Sequence, residues 1–163
     1  MTCIELNWGE TMSETAKYII FKLREQSFAV DIHQVISIER LQKLTEVPRT
    51  SKFIKGVTQI RDVTTPIIDL KERLYMPESE VTDDFRILVI QFNEMQIGLI
   101  IDAAEEVKDI ANSAIQPAPP IIGGVKQTFV KGIAKLDEEL LIILELETIL
   151  NAEEISELEK VID

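Results

Sequence analysis

The chain has only one cysteine, Cys3, and one histidine, His33, among its 163 residues. A single cysteine can form neither an intrachain disulfide nor a thiolate metal cage. A single histidine, with no serine motif and no second histidine nearby, provides neither a catalytic triad nor a zinc site. We therefore interpret Cys3 as an inert thiol and His33 as an exposed residue, and we expect no metal and no cofactor.

Long hydrophobic runs are also missing. The apolar runs 86–92 and 140–146 are far too short to span a bilayer. No basic segment followed by an apolar one stands at the N-terminus, so no secretory signal is predicted. The sequence therefore predicts a cytoplasmic protein that does not insert directly into a membrane.

Basic residues are few, 17 against 29 acidic ones, which gives a formal net charge of −12. The acidic excess is concentrated at the ends, with −3 in residues 1–16 and −4 in residues 151–163. A polyanionic surface repels phosphates at long range, so nucleic acid and anionic membranes are poor candidate partners. The negative charge therefore favours proteins as partners, unless its only effect is to keep the protein soluble.

Patterns typical of enzymes are incomplete. Asp83 and Asp84 follow Thr82 where a turn is expected, and nothing in the sequence suggests the cleft that a glycosidase-type pair requires. The Gly123, Gly124 and Lys126 cluster lacks the strand, helix and hydroxyl residue of a phosphate-binding loop. We expect a flexible loop there and no enzymatic activity.

Asp69 suggests one alternative, a phosphorylated signalling domain. It ends the β-rich run 64–70, and a receiver domain also carries its phosphorylated aspartate at a strand end. Such a domain alternates strands with long helices and has further acids after its first strand, which this sequence lacks. The preferred interpretation is that Asp69, like Glu145, caps the turn that follows it.

The strongest positive feature is an internal repeat. The stretch 53–74, FIKGVTQIRDVTTPIIDLKERL, returns as 129–150, FVKGIAKLDEELLIILELETIL, at a constant offset of 76 residues. Each copy has a glycine after a short apolar stretch, then a polar turn, then a β-branched run that ends in an acid. The pattern predicts a hairpin in each copy and therefore two similar β-subdomains.

Two further hairpins are predicted from apolar strands around polar turns. The first pairs Tyr18–Leu23 with Phe28–Val30, and the second pairs Arg86–Phe92 with Ile97–Ile101. After the first hairpin, Asp31 and Gln34 predict a capped helical turn, with Ile32, Val35, Ile36 and Ile38 as an apolar stripe at helical spacing. After the second, Asp102 and Glu105 repeat the capping pattern.

The end of the chain predicts a helix. Asn151 and Glu154 form a capping box, and Leu150 can pack on Ile155 across the cap. Residues 1–16 are predicted to be a flexible tail, residues 17–150 the folded domain and residues 151–163 the helix. Residues 111–128, rich in proline and glycine, are expected to form a surface excursion. Short strands separated by turns favour small barrels.

These motifs resemble the CheW-like chemotaxis adaptors in content and order. The similar residues cover about 18–159, and their motifs are Asp31-Ile-x-x-Val35-x-x-Ile38, Phe53-Ile-Lys-Gly-Val57-Thr-x-Ile-Arg61, Pro66-Ile-Ile-Asp-Leu70, Gly98-Leu-Ile-Ile-Asp102 and Gln116-Pro-Ala-Pro119. The resemblance implies a mainly β fold of two SH3-like five-stranded barrels around a shared hydrophobic core, with short helices and a C-terminal helix. The subdomains would span about 17–82 and 83–150, with exchange of strands between them left open.

The resemblance also implies the function. Family members are non-enzymatic scaffolds that couple the cytoplasmic tips of methyl-accepting chemoreceptors to the regulatory domain of the histidine kinase CheA. They are cytoplasmic and are recruited to membrane-associated receptor arrays. An adaptor of another chemosensory kinase pathway, serving motility or development, is the alternative.

Carried over to this sequence, the resemblance implies a receptor-binding groove between the barrels. Its residues would be Ile32, Val35, Ile38, Gly56, Val57, Arg61, Gly98 and Val107. Arg61 would orient acceptors on a receptor helix, or else form a structural salt bridge with Asp62 or Glu39. For Val35 and Ile38 plain core packing is the alternative.

Two positions depart from the family pattern. Many members have Asn-Leu-Arg-Gly where this chain has Gln59-Ile60-Arg61-Asp62, so a turn glycine is replaced by an acid. Ser37 stands where many members have glutamate. If the turn requires a positive φ, Asp62 is strained, although aspartate tolerates this conformation better than most residues.

Overall fold

A computed structural model describes residues 15–47 and 51–162, without the side chains of residues 161 and 162. The predicted tail, with Cys3, lies outside the described residues except for positions 15 and 16. None of the helices in these two ranges has the length and apolarity needed to cross a membrane.

The described residues form thirteen strands, two α-helices and four short 3-10 helices. The strands are β1 (Thr15–Leu23), β2 (Gln26–Asp31), β3 (Val35–Arg40), β4 (Ile54–Ile60), β5 (Val63–Asp69), β6 (Arg86–Phe92), β7 (Met95–Ile101), β8 (Ala103–Ala111), β9 (Ile115–Gln116), β10 (Ile121–Ile122), β11 (Val125–Lys126), β12 (Val130–Leu136) and β13 (Glu139–Leu144). The α-helices are α1 (Leu70–Arg73) and α2 (Ala152–Ile162), and the 3-10 helices are Ile32–Gln34, Asn112–Ala114, Gln127–Phe129 and Leu146–Thr148. The prediction of a mainly β chain with few helices and a helix at its end is confirmed.

Eleven of these strands form two sheets of corresponding topology. Sheet 1 has the order β8-β1-β2-β13-β12-β9, and sheet 2 has the order β3-β6-β7-β5-β4. Each sheet is antiparallel apart from one parallel pair, β2 with β13 in sheet 1 and β5 with β7 in sheet 2. Beyond β4, the bridge between Thr45 and Val57 occupies the place that β9 takes in sheet 1.

Both sheets contain strands from both halves of the chain. The first hairpin, β1–β2, joins β12–β13 from the far end in sheet 1, whereas β6–β7 joins β3, β4 and β5 in sheet 2. The strands are therefore exchanged between the halves, and neither residues 17–82 nor residues 83–150 form a sheet alone.

The repeat is reproduced in the hairpins β4–β5 and β12–β13. Arg61 and Asp62 have φ values of 55° and 65°, and their equivalents Asp137 and Glu138 have values of 49° and 66°. Two successive positive φ values are typical of the type I′ turn, whose twist suits a hairpin. Asp62 thus occupies the left-handed conformation that the missing glycine would favour.

The repeated glycine of each copy makes room for a crossing chain. A Cβ on Gly56 would lie 2.5 Å from the Thr45 carbonyl oxygen, and one on Gly132 would lie 2.8 Å from the Gln116 carbonyl oxygen. These distances are far shorter than any normal contact, so the bridge beyond β4 and the strand β9 can approach only a glycine.

Strands in the middle of each sheet are buried on both faces, which explains their continuous apolar sequences. Side chains alternate along a strand, so neighbours enter different clusters. Ile19 and Phe21 face a large shared core that combines residues of both sheets and α2, whereas Ile20 faces a cluster formed by sheet 1 alone. Sheet 2 has its own cluster of Ile60, Ile67, Ile87 and Val89. The shared core is thus confirmed.

Helix α2 begins as the sequence predicts. The Asn151 side chain accepts a hydrogen bond from the Glu154 amide at 2.9 Å, and the Glu154 carboxylate accepts one from the Asn151 amide at 2.8 Å. Leu158 is buried in the shared core, and Ile155 packs against it. The helix is held further because the Ser51 amide and hydroxyl both donate to the Glu157 carboxylate, at 2.7 Å each.

The helical stripe predicted after Asp31 is wrong beyond its first turn. Asp31 accepts a bond from the His33 amide and caps a 3-10 helix that ends at Gln34, and β3 begins at Val35. A β-bulge lies between Val35 and Ser37. Because the bulge shifts the alternation, Val35 and Ile38 lie opposite Ile90 and Leu88, which both face the shared core. Residues three positions apart thus share a face, as they do in a helix.

The capping pair Asp102 and Glu105 is also wrong, because β8 starts at Ala103 and no helix follows Asp102. The proline-rich excursion 111–128 has more structure than predicted. It carries β9 and the small hairpin β10–β11, and Val125 is buried in the shared core.

Candidate interaction surface

Asp69 acts as a helix cap. Its carboxylate accepts hydrogen bonds from the amides of Lys71 and Glu72, at the start of α1. The mainly antiparallel sheets and the four-residue α1 contradict the alternation of strands and long helices in a receiver domain. Glu145, which was expected to cap in the same way, makes no such side-chain bond.

The other candidate chemical groups remain separate. The His33 side chain is exposed and lies 3.0 Å from the Asp31 carboxylate. Asp83 and Asp84 lie in an exposed turn, where the Asp84 amide donates to the Thr82 hydroxyl. Across residues 15–47 and 51–162, no group of three or more potential ligands is arranged to hold a metal ion.

The eight residues of the implied groove fall into three classes of exposure. Ile38, Arg61 and Val107 are exposed, Ile32, Val35 and Val57 are half-buried, and Gly56 and Gly98 are buried. The two glycines can shape a surface but cannot provide side chains to it.

Ile38 and Val107 lie on the strands that end the two sheets at corresponding positions. Ile38 is on β3, which pairs with β6, and Val107 is on β8, where it is opposite Ile19 of β1. The side chains are 41% and 51% exposed, so each leaves a large apolar area in water. Ile32 and Val35, near Ile38 in sequence, pack against the shared core that joins the sheets.

Arg61 extends from the tip of the β4–β5 hairpin and is exposed. Within the described part of the chain its guanidinium forms no ion pair with Asp62, with Glu39 or with any other acid. The structural salt bridge that was the alternative interpretation is therefore not observed.

Gly98 is explained by packing inside sheet 2. A Cβ at this position would lie 2.7 Å from Ile67 Cδ1 and 2.7 Å from Ile87 Cγ2, both in the sheet 2 cluster. The absence of a side chain at Gly98 therefore lets the core of sheet 2 pack closely around it.

A buried polar cluster that the sequence analysis missed joins the two halves at Asp102. Its carboxylate forms an ion pair with the buried Lys71 ammonium and accepts bonds of 2.8 Å from the Arg24 amide and from the Ser79 hydroxyl. The Lys71 ammonium also lies 4.7 Å from the centre of the Phe85 ring. Asp102 thus uses its acceptors to connect the first hairpin, α1 and the loop before β6, where a cap was predicted.

Arg73 forms a second buried connection. Its guanidinium lies 5.2 Å and 5.0 Å from the ring centres of Phe53 and Phe129, which are equivalent residues of the repeat. It donates to the Ile149 carbonyl and, at 3.2 Å, to the Glu154 carboxylate. No sequence pattern predicts these two hydrogen bonds, because they join residues 76 and 81 positions apart.

Glu139 has a perturbed acidity. The Ser27 hydroxyl donates to its carboxylate at 2.6 Å, and this bond lowers the pKa of Glu139 below 4.5, assisted by the positive charges of Lys22 and Lys108 and opposed by partial desolvation. Because the bond joins β2 to β13, it stabilises the parallel contact at the centre of sheet 1.

Comparisons with known proteins agree on one family. A family model described as the CheW-like domain matches residues 17–154. "Chemotaxis protein CheW" of Bacillus subtilis (strain 168) is 36% identical over 149 residues, which cover 91% of this chain and 92% of that protein. The protein of the same name from Klebsiella aerogenes is 29% identical over 148 residues, 91% of this chain and 88% of that protein.

A solved structure is similar as well. The crystal structure of the scaffolding protein TtCheW from Thermoanaerobacter tengcongensis superposes with a TM-score of 0.78 and 32% sequence identity. The match covers 85% of this chain and 90% of that chain.

Proposed function

The chain belongs to the CheW-like family, and from this we propose that it is a non-enzymatic scaffold of a bacterial chemotaxis system. Support comes from the names of its relatives and from the similar crystal structure, which is described as a scaffolding protein. The chain covers nine tenths of these relatives' lengths, so the likeness applies to whole proteins.

The proposed partners are the cytoplasmic tips of methyl-accepting chemoreceptors and the regulatory domain of the histidine kinase CheA. By binding both, the protein would couple receptor to kinase without a covalent step. We propose that it is cytoplasmic and that these contacts recruit it to receptor arrays at the membrane.

The receptor would bind in a groove formed by the exposed Ile38, Arg61 and Val107 with the half-buried Ile32, Val35 and Val57. The observation that supports this most is that Ile38 and Val107 expose apolar area on the end strands of two sheets that share a core. An amphipathic receptor helix in such a groove would bury these side chains, in the helix-in-groove mode. Each half-exposed side chain would contribute on the order of 1 kcal/mol to binding.

The kinase would be bound through the duplicated β architecture. The regulatory domain of the kinase is itself CheW-like, so pseudo-repeated sheets on both proteins could meet end to end and propagate an array. Gly56 and Gly98 would contribute indirectly, by holding the crossing chain and the interior of sheet 2 in place.

Co-precipitation tests the proposal directly. The purified protein should retain both a chemoreceptor cytoplasmic fragment and the regulatory domain of the kinase, and a ternary complex should form when all three are mixed. Binding to neither partner contradicts the proposal. Binding only to the kinase and receptor of a separate motility or developmental pathway would instead support the alternative.

A further inference from the structure

The segment 110–136 differs in charge from the rest of the chain. It contains Lys126, Lys131 and Lys135 and no aspartate or glutamate, although the protein carries 29 acidic residues and a net charge of −12. All three lysines are exposed. The three lysines thus lie in a stretch of sequence without acidic residues, between Asp109 and Asp137.

Lys126 and Lys131 have aromatic contacts in place of carboxylate partners. The Lys126 ammonium lies 5.8 Å from the centre of the Tyr75 ring. The Lys131 ammonium lies 5.7 Å from the Tyr18 ring and donates to its hydroxyl at 3.3 Å. Neither lysine forms an ion pair with an acid in the described ranges.

The internal repeat shows what is missing at Lys131. Its equivalent in the first copy is Lys55, which pairs with Glu72 at 2.5 Å. The equivalent of Glu72 in the second copy is Thr148. The duplicated position therefore keeps its cation and lacks the carboxylate that neutralises it in the other half.

Tyr75 adds an exposed aromatic ring to this region. It is 70% exposed and has a φ of 62°, a conformation that bulky residues rarely adopt. Arg73 lies beneath it, 6.0 Å from its ring centre and 5.0 Å from that of Phe129, so the ring is held close to the start of β12. A strained, exposed aromatic residue is a reason to look for a binding role.

Ile121 completes the surface. It is 65% exposed and lies opposite Lys126 in the hairpin β10–β11. We name Tyr75, Ile121, Lys126 and Lys131 the basic patch. Tyrosine is enriched in protein-binding hot spots, and lysines around it favour a partner of opposite charge.

We propose that the basic patch binds an acidic segment of a partner protein, with an apolar side chain of that segment placed against Tyr75 and Ile121. Charge complementarity selects this partner. Surface lysines contribute about 1 kcal/mol each towards an anionic membrane, too little for a body with this net negative charge. A short acidic segment bound to the patch lies within a Debye length, roughly 8 Å, of its lysines. It therefore experiences mainly their positive field, because the more distant negative charges of the protein are screened. The patch shares no residue with the proposed groove, so it represents an additional interface.

A random peptide library displayed on phage tests the proposal without assuming a partner. Peptides selected on the full-length protein should be rich in glutamate or aspartate and carry one or two large apolar residues. Binding of a selected peptide, measured by fluorescence anisotropy, should weaken at least about tenfold in Lys126→Glu/Lys131→Glu, and should weaken as salt is raised. Lys43→Glu/Lys160→Glu changes the net charge equally on exposed lysines elsewhere and should leave binding unchanged.

Tyr75→Asn separates binding from folding. Asparagine tolerates a positive φ, so this variant should fold at least as well as the parent and still bind several-fold more weakly. Several outcomes would overturn the proposal: no selected peptides, peptides without acids, or equal weakening by the control pair. Binding of vesicles containing phosphatidylserine that depends on the same lysines would also overturn it and indicate a lipid surface.

Discussion

Arg61 is the residue for which sequence and structure together give the sharpest expectation. Replacing it with alanine should change the free energy of unfolding by no more than about 0.5 kcal/mol, because the side chain is exposed and lacks an ion pair in the described part of the chain. Receptor binding should fall roughly tenfold, as for an arginine that contributes about 1.4 kcal/mol to an interface. Titration calorimetry with the receptor fragment measures the affinity, and thermal unfolding measures the stability.

Ile143 provides the contrasting control. It is fully buried in the sheet 1 cluster, so Ile143→Ala should cost about 2 to 5 kcal/mol of unfolding free energy and reduce binding only through folding. An Arg61→Ala protein that lost stability and kept its affinity would show that Arg61 is structural.

The hydrogen bond between Ser27 and Glu139 predicts a pH dependence. Because the folded pKa of Glu139 is lowered, its stabilising contribution is present above about pH 4.5 and is lost as the pH falls through the folded pKa. In Ser27→Ala the pKa should rise, and the decrease of unfolding free energy in this acidic window should become shallower. Denaturant unfolding between pH 2 and pH 7 and NMR titration of the Glu139 carboxyl measure both effects. If Ser27→Ala shows the same loss of unfolding free energy at acidic pH as the parent, the lowered pKa of Glu139 is due to Lys22 and Lys108 and not to the hydrogen bond.

At the same scale, some of the residues predicted to form the groove are exposed, whereas the buried polar residues were not predicted from the sequence. Ile38 and Val107 are exposed as a binding surface requires, whereas the buried cluster at Asp102 and the stacked Arg73 came only from the structure. A carboxylate followed by a possible capping partner resembles a helix start in any sequence. Which hydrogen-bond donors reach the Asp102 carboxylate depends on segments distant in sequence, those of Arg24 and Ser79.

At the scale of elements, hairpins were predictable because turn chemistry and apolar runs are local. The four main hairpins occur where the sequence placed them. The stripe beginning at Ile32 was misassigned because a bulge and burial on both faces remove the period of two that identifies a strand.

The crossing at Gly132 gives a prediction for β9. Gly132→Ala would place a methyl group 2.6 Å from Ile115 Cγ2 and 2.8 Å from the Gln116 carbonyl, so β9 must move. We expect a loss of about 1 to 3 kcal/mol and faster hydrogen exchange in β9. Gly124→Asn, at a position with a φ of 84° and no atom within 4 Å, is the matched control and should cost much less. If the two variants lose equal unfolding free energy, β9 does not pack tightly against Gly132.

At the scale of the molecule, the repeat predicted two similar units but could not assign strands to sheets. Both copies of a duplicated sequence have the same apolar pattern, so pairing within a half and pairing between halves bury equivalent residues. Which pairing forms depends on the loops after β2 and β7, where the chain passes from one sheet to the other. Local sequence patterns do not encode these passages.

The exchange predicts that the halves fold only together. Residues 17–82 expressed alone lack the partners of β1 and β2 from β8 and β13, and residues 83–150 lack the partners of β6 and β7 from β3 and β5. Circular dichroism should show each fragment unfolded and a mixture of the two regaining β structure. A fragment that folds by itself would mean that its strands can pair within the half.

The exchange also sets the order of events during synthesis. The N-terminal hairpin cannot complete its sheet until β13, the last strand to emerge, has left the ribosome. The growing polypeptide therefore spends most of translation with unsatisfied strand edges, a state prone to misassociation. Protease resistance of stalled nascent chains should appear abruptly once Leu144 clears the exit tunnel, and chaperones that shield such edges should matter more for this protein than its small size suggests.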